Sequence, residues 1–204
     1  MATEQIAVVA TANDHYKSGT PSTVIAASAV LYAGYGTGAT ILFRNAILKF
    51  PIAAFADRLP ANLISATFDY EVVVAGALGN QLWFDGLVRT GIDWGDVSWD
   101  NRDDSVPTAW DTPGGTPGFG SVETVVQTST GAKSLDVTQC FLDEWANVGP
   151  DDHLAFILHQ SAPTSTGNMQ IASITDATGK VKPTLTLVFA VAGGRRSLAL
   201  LVVG

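Results

Sequence analysis

Residues 64–74 read ISATFDYEVVV. Apolar side chains occupy the even positions, whereas positions 65, 67, 69 and 71 carry Ser, Thr, Asp and Glu. A period of two is typical of a β-strand with one face on an apolar core and the other face toward solvent. The segment therefore predicts a long, half-buried strand.

Other short segments are rich in β-branched or aromatic residues and are separated by Gly, Pro, Asn or Ser clusters, which is typical of strands. They are residues 5–11, 29–33, 42–50, 81–88, 121–127, 154–160, 169–174 and 184–191. Residues 137–147 have a helical period instead, with Val137, Phe141 and Trp145 on one face and Asp136 or Thr138 as the capping residue. The predicted fold class is all-β: a jelly-roll-like antiparallel β-sandwich with one short helix in residues 1–192, followed by a C-terminal apolar arm in residues 193–204.

Composition and charge exclude several classes of protein. The chain has 204 residues, of which 47% are hydrophobic, and a formal net charge of −8. Nucleic-acid binding needs a basic surface that releases counterions, so no nucleic-acid partner is expected. The single cysteine, Cys140, excludes an intramolecular disulfide framework and is expected to be a small buried hydrophobe.

Neither end of the chain has the pattern of a membrane or export segment. The first apolar run is short and is preceded by Glu4 rather than by basic residues, so we predict no signal peptide and synthesis in the cytoplasm. The apolar stretch 183–204 contains Arg195 and Arg196, each of which costs about 2.5–3.5 kcal/mol in the middle of a membrane span. We therefore expect no transmembrane segment and no membrane partner.

The C-terminal arm differs from the rest of the chain. Its predicted assembly residues are Arg195, Arg196, Leu198, Leu200, Leu201 and Val202. Because the arm has no acidic residue, the remainder has a net charge of −10. An exposed run such as LALLVV promotes aggregation unless it is covered, either by its own sheet or by strand addition to a neighbouring subunit.

Residues 94–115, WGDVSWDNRDDSVPTAWDTPGG, form a long irregular segment that contains three of the five tryptophans. Aromatic rings supply packing energy, so we predict an ordered surface excursion held by tryptophan rather than a disordered loop. Trp94, Trp99 and Trp110 are either anchors on the core or platforms on which sugar rings stack. The sequence leaves both interpretations open.

The same segment is acidic. Asp96, Asp100 and Asp103 are candidate calcium ligands, since calcium prefers six to eight oxygen ligands. The alternatives are a solvated loop around Arg102 and a pair of carboxylates for glycoside hydrolysis, whose spatial separation the sequence does not give. Nucleophile, zinc-protease, phosphate-loop and EF-hand motifs are absent from the sequence, so we expect no enzymatic activity and no cofactor, with calcium as the one exception considered.

Several segments, taken in order, resemble the DNRLRE family, also described as carbohydrate-binding module family 96, and related disaggregatase-like β-sandwiches. The resemblance covers roughly residues 5–190 and lies in TANDHYKSGTP, SAVLYAGYG, RNAILKFPIAAF, LISATFDYEV, WGDVSWDNR, AWDTPGG, LDVTQCFLDEW and KPTLTLVF. Its pattern includes Asp14 with Tyr16, Trp94 with Trp99 and Asn101, and Asp136 with Trp145. The family does not account for the residues after Val191.

The resemblance implies a jelly-roll-like sandwich and two kinds of role. Secreted members recognise polysaccharides or build extracellular surfaces, whereas copies in bacteriophage genomes resemble virion components. We expect a phage virion structural protein made in the host cytoplasm, foremost a capsid decoration or cement protein and otherwise a tail or fibre component. The expected partners are the major capsid protein and further copies of this chain, with a glycan as the alternative ligand; a polysaccharide-degrading enzyme has no catalytic motif to support it.

Overall fold

The computed structural model describes residues 2–17, 28–36, 42–75, 82–87, 92, 94, 97–103, 108–111, 115, 123–125, 129–147, 152–160 and 167–191. In this part of the chain there are thirteen strands and one α-helix. The strands are β1 (Thr3–Val9), β2 (Ala12–Lys17), β3 (Val30–Gly36), β4 (Leu42–Pro51), β5 (Leu63–Val74), β6 (Leu82–Gly86), β7 (Asn101–Asp103), β8 (Thr108–Ala109), β9 (Glu123–Val125), β10 (Gly131–Asp136), β11 (His153–Gln160), β12 (Gly167–Ala172) and β13 (Thr184–Ala190). The helix α1 spans Thr138–Ala146, and two short 3-10 turns, Ile52–Ala54 and Pro60–Asn62, lie between β4 and β5.

Eleven of these strands form one curled antiparallel sheet around two long strands, β4 and β5. β10 pairs with one edge of β5. On the other edge, β13 pairs with the first half of β5 and β12 pairs with its last residues. In the same way, β2 pairs with one edge of β4. On the other edge, β3 pairs with the first residues of β4 and β11 pairs with the rest. The pairing of β12 with β3 joins the two groups, while β1 extends one group beyond β13 and β6 with β9 extends the other beyond β11.

The main core lies between these two groups of strands. The predicted period of two in β5 buries Ala66, Phe68, Tyr70 and Val72, whereas Ile64 and Val74 at its ends are exposed. Opposite them lie apolar side chains of β4, β6 and β11. The aromatic members are in ring contact: the Phe84 ring is tilted against Phe68 at a centroid distance of 4.7 Å and stacked on Phe156 at 4.8 Å.

Helix α1 closes one side of this core. Its buried residues are Cys140, Phe141, Glu144 and Trp145. The ring of Phe55, just after the first 3-10 turn, contacts both Phe141 and Trp145, at centroid distances of 5.5 and 5.1 Å. Cys140 is buried in this helix, as the sequence predicts.

The helix N-cap is Val137, whose side chain makes no capping bond, and the predicted candidate Asp136 lies one residue before it and binds the first helical residue. Asp136 accepts hydrogen bonds from the backbone N–H of Thr138, at 2.9 Å, and from its hydroxyl, at 2.6 Å. The Thr138 hydroxyl oxygen accepts in turn from the Ala66 N–H at 2.9 Å, which ties the helix to β5. Both hydrogen bonds to Asp136 favour its ionised form, so they lower the pKa of its carboxyl group.

The predicted all-β, sandwich-like fold with one short helix is confirmed. Each of the nine predicted segments overlaps a strand, and the helix is one residue shorter at each end than the predicted residues 137–147. The sequence did not predict β2, β10 or the small pair β7–β8. The arm residues Arg195, Arg196, Leu198, Leu200, Leu201 and Val202 lie outside the described residues, so the boundary at residue 192 stays a prediction.

Candidate functional site

The outer face of β4, β11 and β6 carries a second, smaller apolar layer. Side chains that alternate with those of the main core point to this face, and Ile47, Ala155, Ile157 and Leu87 are buried on it. Val97 and Trp110 of residues 94–115, which we call the tryptophan segment, cover them. Ile92, Trp94 and Trp99 are partly buried around them. We call this surface, including Trp83 of β6, the tryptophan face.

Trp110 is the anchor of the segment. Its side chain is only 5% exposed, and its ring nitrogen Nε1 donates to the backbone oxygen of Ser98 at 3.0 Å. The Trp110 backbone N–H also donates to the oxygen of Asp100, at 3.1 Å. Little of the Trp110 ring is therefore open to solvent, and its bonds to Ser98 and Asp100 favour the predicted role as an anchor.

Trp94 lies at one end of the tryptophan face and is half-buried. Its ring meets the ring of His153 edge-on at a centroid distance of 6.0 Å, and the Lys49 ammonium lies 6.0 Å from its centroid. His153 Nδ1 is 2.7 Å from the carboxylate of Asp152, and this hydrogen bond is the main reason that the pKa of Asp152 is lowered. Trp94 Nε1 and His153 Nε2 are both buried and have no hydrogen-bond partner in the described part of the protein.

Trp99 also lies at the partly exposed border of the tryptophan face. Its half-buried ring stacks on Phe43 of β4 with a centroid distance of 6.2 Å. Trp94 and Trp99 therefore combine partial exposure with aromatic surface, as a stacking platform requires.

A polar cluster that sequence reasoning missed lies on the same face. Asp85 of β6 pairs with Ile157, and Trp83 pairs with His159, so all four side chains face outward. Asp85 is 5% exposed, and its Oδ2 atom lies 3.6 Å from His159 Nε2. The alternation of Trp83, Asp85 and Leu87 along the sequence is the signal that could have revealed this cluster. With Trp83 included, four of the five tryptophans lie on the tryptophan face.

The calcium prediction cannot be placed completely on the structure. Asp100 is exposed, the side chain of Asp103 and all of Asp96 lie outside the described residues, and in the described ranges no three His, Cys, Asp or Glu side chains form a metal-ligand group. Calcium binding by these aspartates stays a prediction.

The two ends of the sandwich lie side by side. The N–H of Val191, the last described residue, donates to the oxygen of Ala2 at 3.0 Å. Val191 therefore lies beside β1, at the border of the sheet, and the arm itself lies outside the described residues.

Comparison of the chain with protein-family models and with curated proteins gives no match. Within the described residues, no helix has the length and apolar character needed to span a membrane.

Proposed function

We propose that this protein is a non-enzymatic structural component of a bacteriophage particle, a capsid decoration protein that acts by adhesion between subunits. The observation on which this proposal depends is the position of Val191, where the chain leaves β13 beside the border strand β1. An arm that starts there is placed to reach a neighbouring subunit. The sandwich itself serves as a rigid body that carries the arm.

Charge and apolar burial support the same function. The arm carries Arg195 and Arg196, whereas the remainder has a net charge of −10, so the two attract each other at short range. Each fully buried aliphatic side chain of the arm contributes about 1.5–3 kcal/mol before ordering and association costs are subtracted. Those costs are comparable with the gain from one arm, so we expect several arms to hold an assembly together.

Quantitative mass spectrometry of purified phage particles that encode this chain tests the virion role. We expect the protein to be present at a copy number comparable with that of the major capsid protein. Adding the purified protein to particles that lack it should raise their resistance to heat or low salt. Absence from the particles, or no binding to them, contradicts the proposal.

A second candidate function, carbohydrate recognition, is favoured by Trp94 and its surroundings. A half-buried indole and the Lys49 ammonium beside it together offer stacking and hydrogen bonding to a sugar. The test is a glycan array with the wild type, Trp94→Ala, and the matched control Trp94→Phe. Carbohydrate recognition predicts a specific glycan signal that Ala abolishes and Phe partly retains, at unchanged thermal stability; a wild type that binds no glycan contradicts it.

A further inference from the structure

The strand β1 borders the sheet and pairs, among the described strands, only with β13. Its even-numbered residues direct their backbone groups to β13, as the bonds from Val191 N–H to the Ala2 oxygen and from Ala10 N–H to the Pro183 oxygen show at either end. In an antiparallel ladder the intervening residues point their N–H and C=O groups the other way. Thr3, Gln5 and Ala7 therefore present theirs at the open edge.

This edge has few of the features that prevent strand addition. The side chains of Thr3, Gln5, Ala7 and Val9 are exposed and uncharged, and the one charged residue of β1, Glu4, is paired with Arg58 at 2.7 Å. Natural edge strands are usually protected by charged residues, proline or bulges. The other long border strand with described side chains, β10, carries Lys133 and Asp136.

We propose that the open edge of β1 accepts residues 197–203 of a second copy of this chain as an added strand. The inference rests on the proposed self-association and names its acceptor. Both segments are seven residues long. Apolar surface also lies beside the edge, since Ile6 is only partly buried against the main core and Leu59, next to Arg58, is 63% exposed. Main-chain bonds with alternating apolar side chains are the usual basis of strand addition.

The connection to the arm disfavours an antiparallel strand added to β1 within the same copy. An antiparallel strand within one subunit would have to start at the Val9 end of β1, about 20 Å along that strand and about 10 Å across it from Val191. The straight-line distance is therefore about 22 Å, and the chain from Val191 to residue 197 also reaches at most about 22 Å when fully extended, which leaves no slack for passing around the end of β1. An arm from another subunit has no such restriction.

Cross-linking of full-length variants tests the acceptor. Gln5→Cys and Leu201→Cys, which are opposite each other when residues 197–203 pair antiparallel with Thr3–Val9, are made on separate, differently tagged chains, mixed and mildly oxidised; Cys140 is buried and stays unreactive. We expect a disulfide-linked heterodimer from this mixture. The matched control, Ser134→Cys on β10 mixed with Leu201→Cys, should give at least tenfold less.

Ala7→Pro provides a second, independent test. Proline removes an N–H that points to the open edge and leaves the bonds to β13 intact, as border strands tolerate. We expect loss of assembly with an unchanged unfolding temperature, whereas Ala7→Ser keeps the assembly.

The outcomes separate this inference from the proposed function. Oligomers that persist in Ala7→Pro and give no Gln5–Leu201 link overturn the β1 acceptor and leave self-association standing. An intramolecular link in a chain that carries both cysteines overturns the exchange between copies. A wild-type chain that is monomeric at all concentrations overturns the proposed self-association itself.

Discussion

Replacing Trp110 by alanine tests whether the tryptophan segment is held on the outer face of the sheet by one ring. Truncation of a buried tryptophan costs about 3–5 kcal/mol because it removes apolar burial and leaves a cavity. Trp110 also satisfies the Ser98 oxygen through its Nε1 atom, and loss of that bond alone costs about 1–3 kcal/mol. Because the ring belongs to the smaller apolar layer and not to the main core, we expect much of this cost to appear as local opening of the segment.

Urea unfolding followed by circular dichroism measures the loss of global stability. Hydrogen–deuterium exchange of peptides covering residues 97–111 measures the local opening of the segment. In Trp110→Ala we expect exchange in these peptides to rise at least a hundredfold while peptides from β5 stay protected. Trp110→Phe isolates the hydrogen bond and should have an intermediate effect. Trp99→Ala, at the half-buried rim, should cost less than Trp110→Ala; equal exchange in Trp110→Ala and the wild type would refute the anchoring role.

Three further predictions concern the main core and the charged groups. Gly86→Ala should lower stability by about 1–3 kcal/mol in thermal unfolding, because its new methyl group would overlap the buried Glu144 carboxylate; an unchanged unfolding temperature contradicts this close approach. Asp136→Ala should cost about 0.5–2 kcal/mol of unfolding free energy by removing the bonds to Thr138, and Asp136→Asn should cost less. The folded-state pKa values of Asp136 and Asp176 are both lowered, chiefly by hydrogen bonds from threonine, so their stabilisation is present above the unfolded pKa of about 3.9 and is lost as the pH falls below about 4 through the folded values. Asp136→Asn should therefore lose less stability than the wild type between pH 7 and pH 3 in urea titrations, and equal losses would contradict this assignment.

The sequence predicted the strands with an apolar or β-branched pattern and missed those without one. β5 alternates because its even side chains enter the core, so its pattern is visible without any partner. β10, GAKSLD, lies along the edge of β5 with half its residues exposed and carries no apolar alternation. β2, ANDHYK, is similarly polar. Such border strands are specified by pairing with a neighbour, which a single segment does not encode.

The candidate site was predicted only in outline. The sequence indicated that tryptophans hold an irregular segment on the surface, and Trp110 has this role. It could not rank Trp94, Trp99 and Trp110 by exposure, because their environment depends on strands far away in sequence. Asp85 and His159 were missed for the same reason, since only the pairing of β6 with β11 brings them to one face.

Sedimentation equilibrium of the full-length chain tests the central claim most directly, with a Leu198→Asp/Leu200→Asp double variant as comparison. We predict that the wild type forms concentration-dependent species heavier than the monomer mass of 21.3 kDa, and that the variant sediments as a folded monomer. A wild type that stays at the monomer mass, or a variant that assembles like the wild type, would contradict the account.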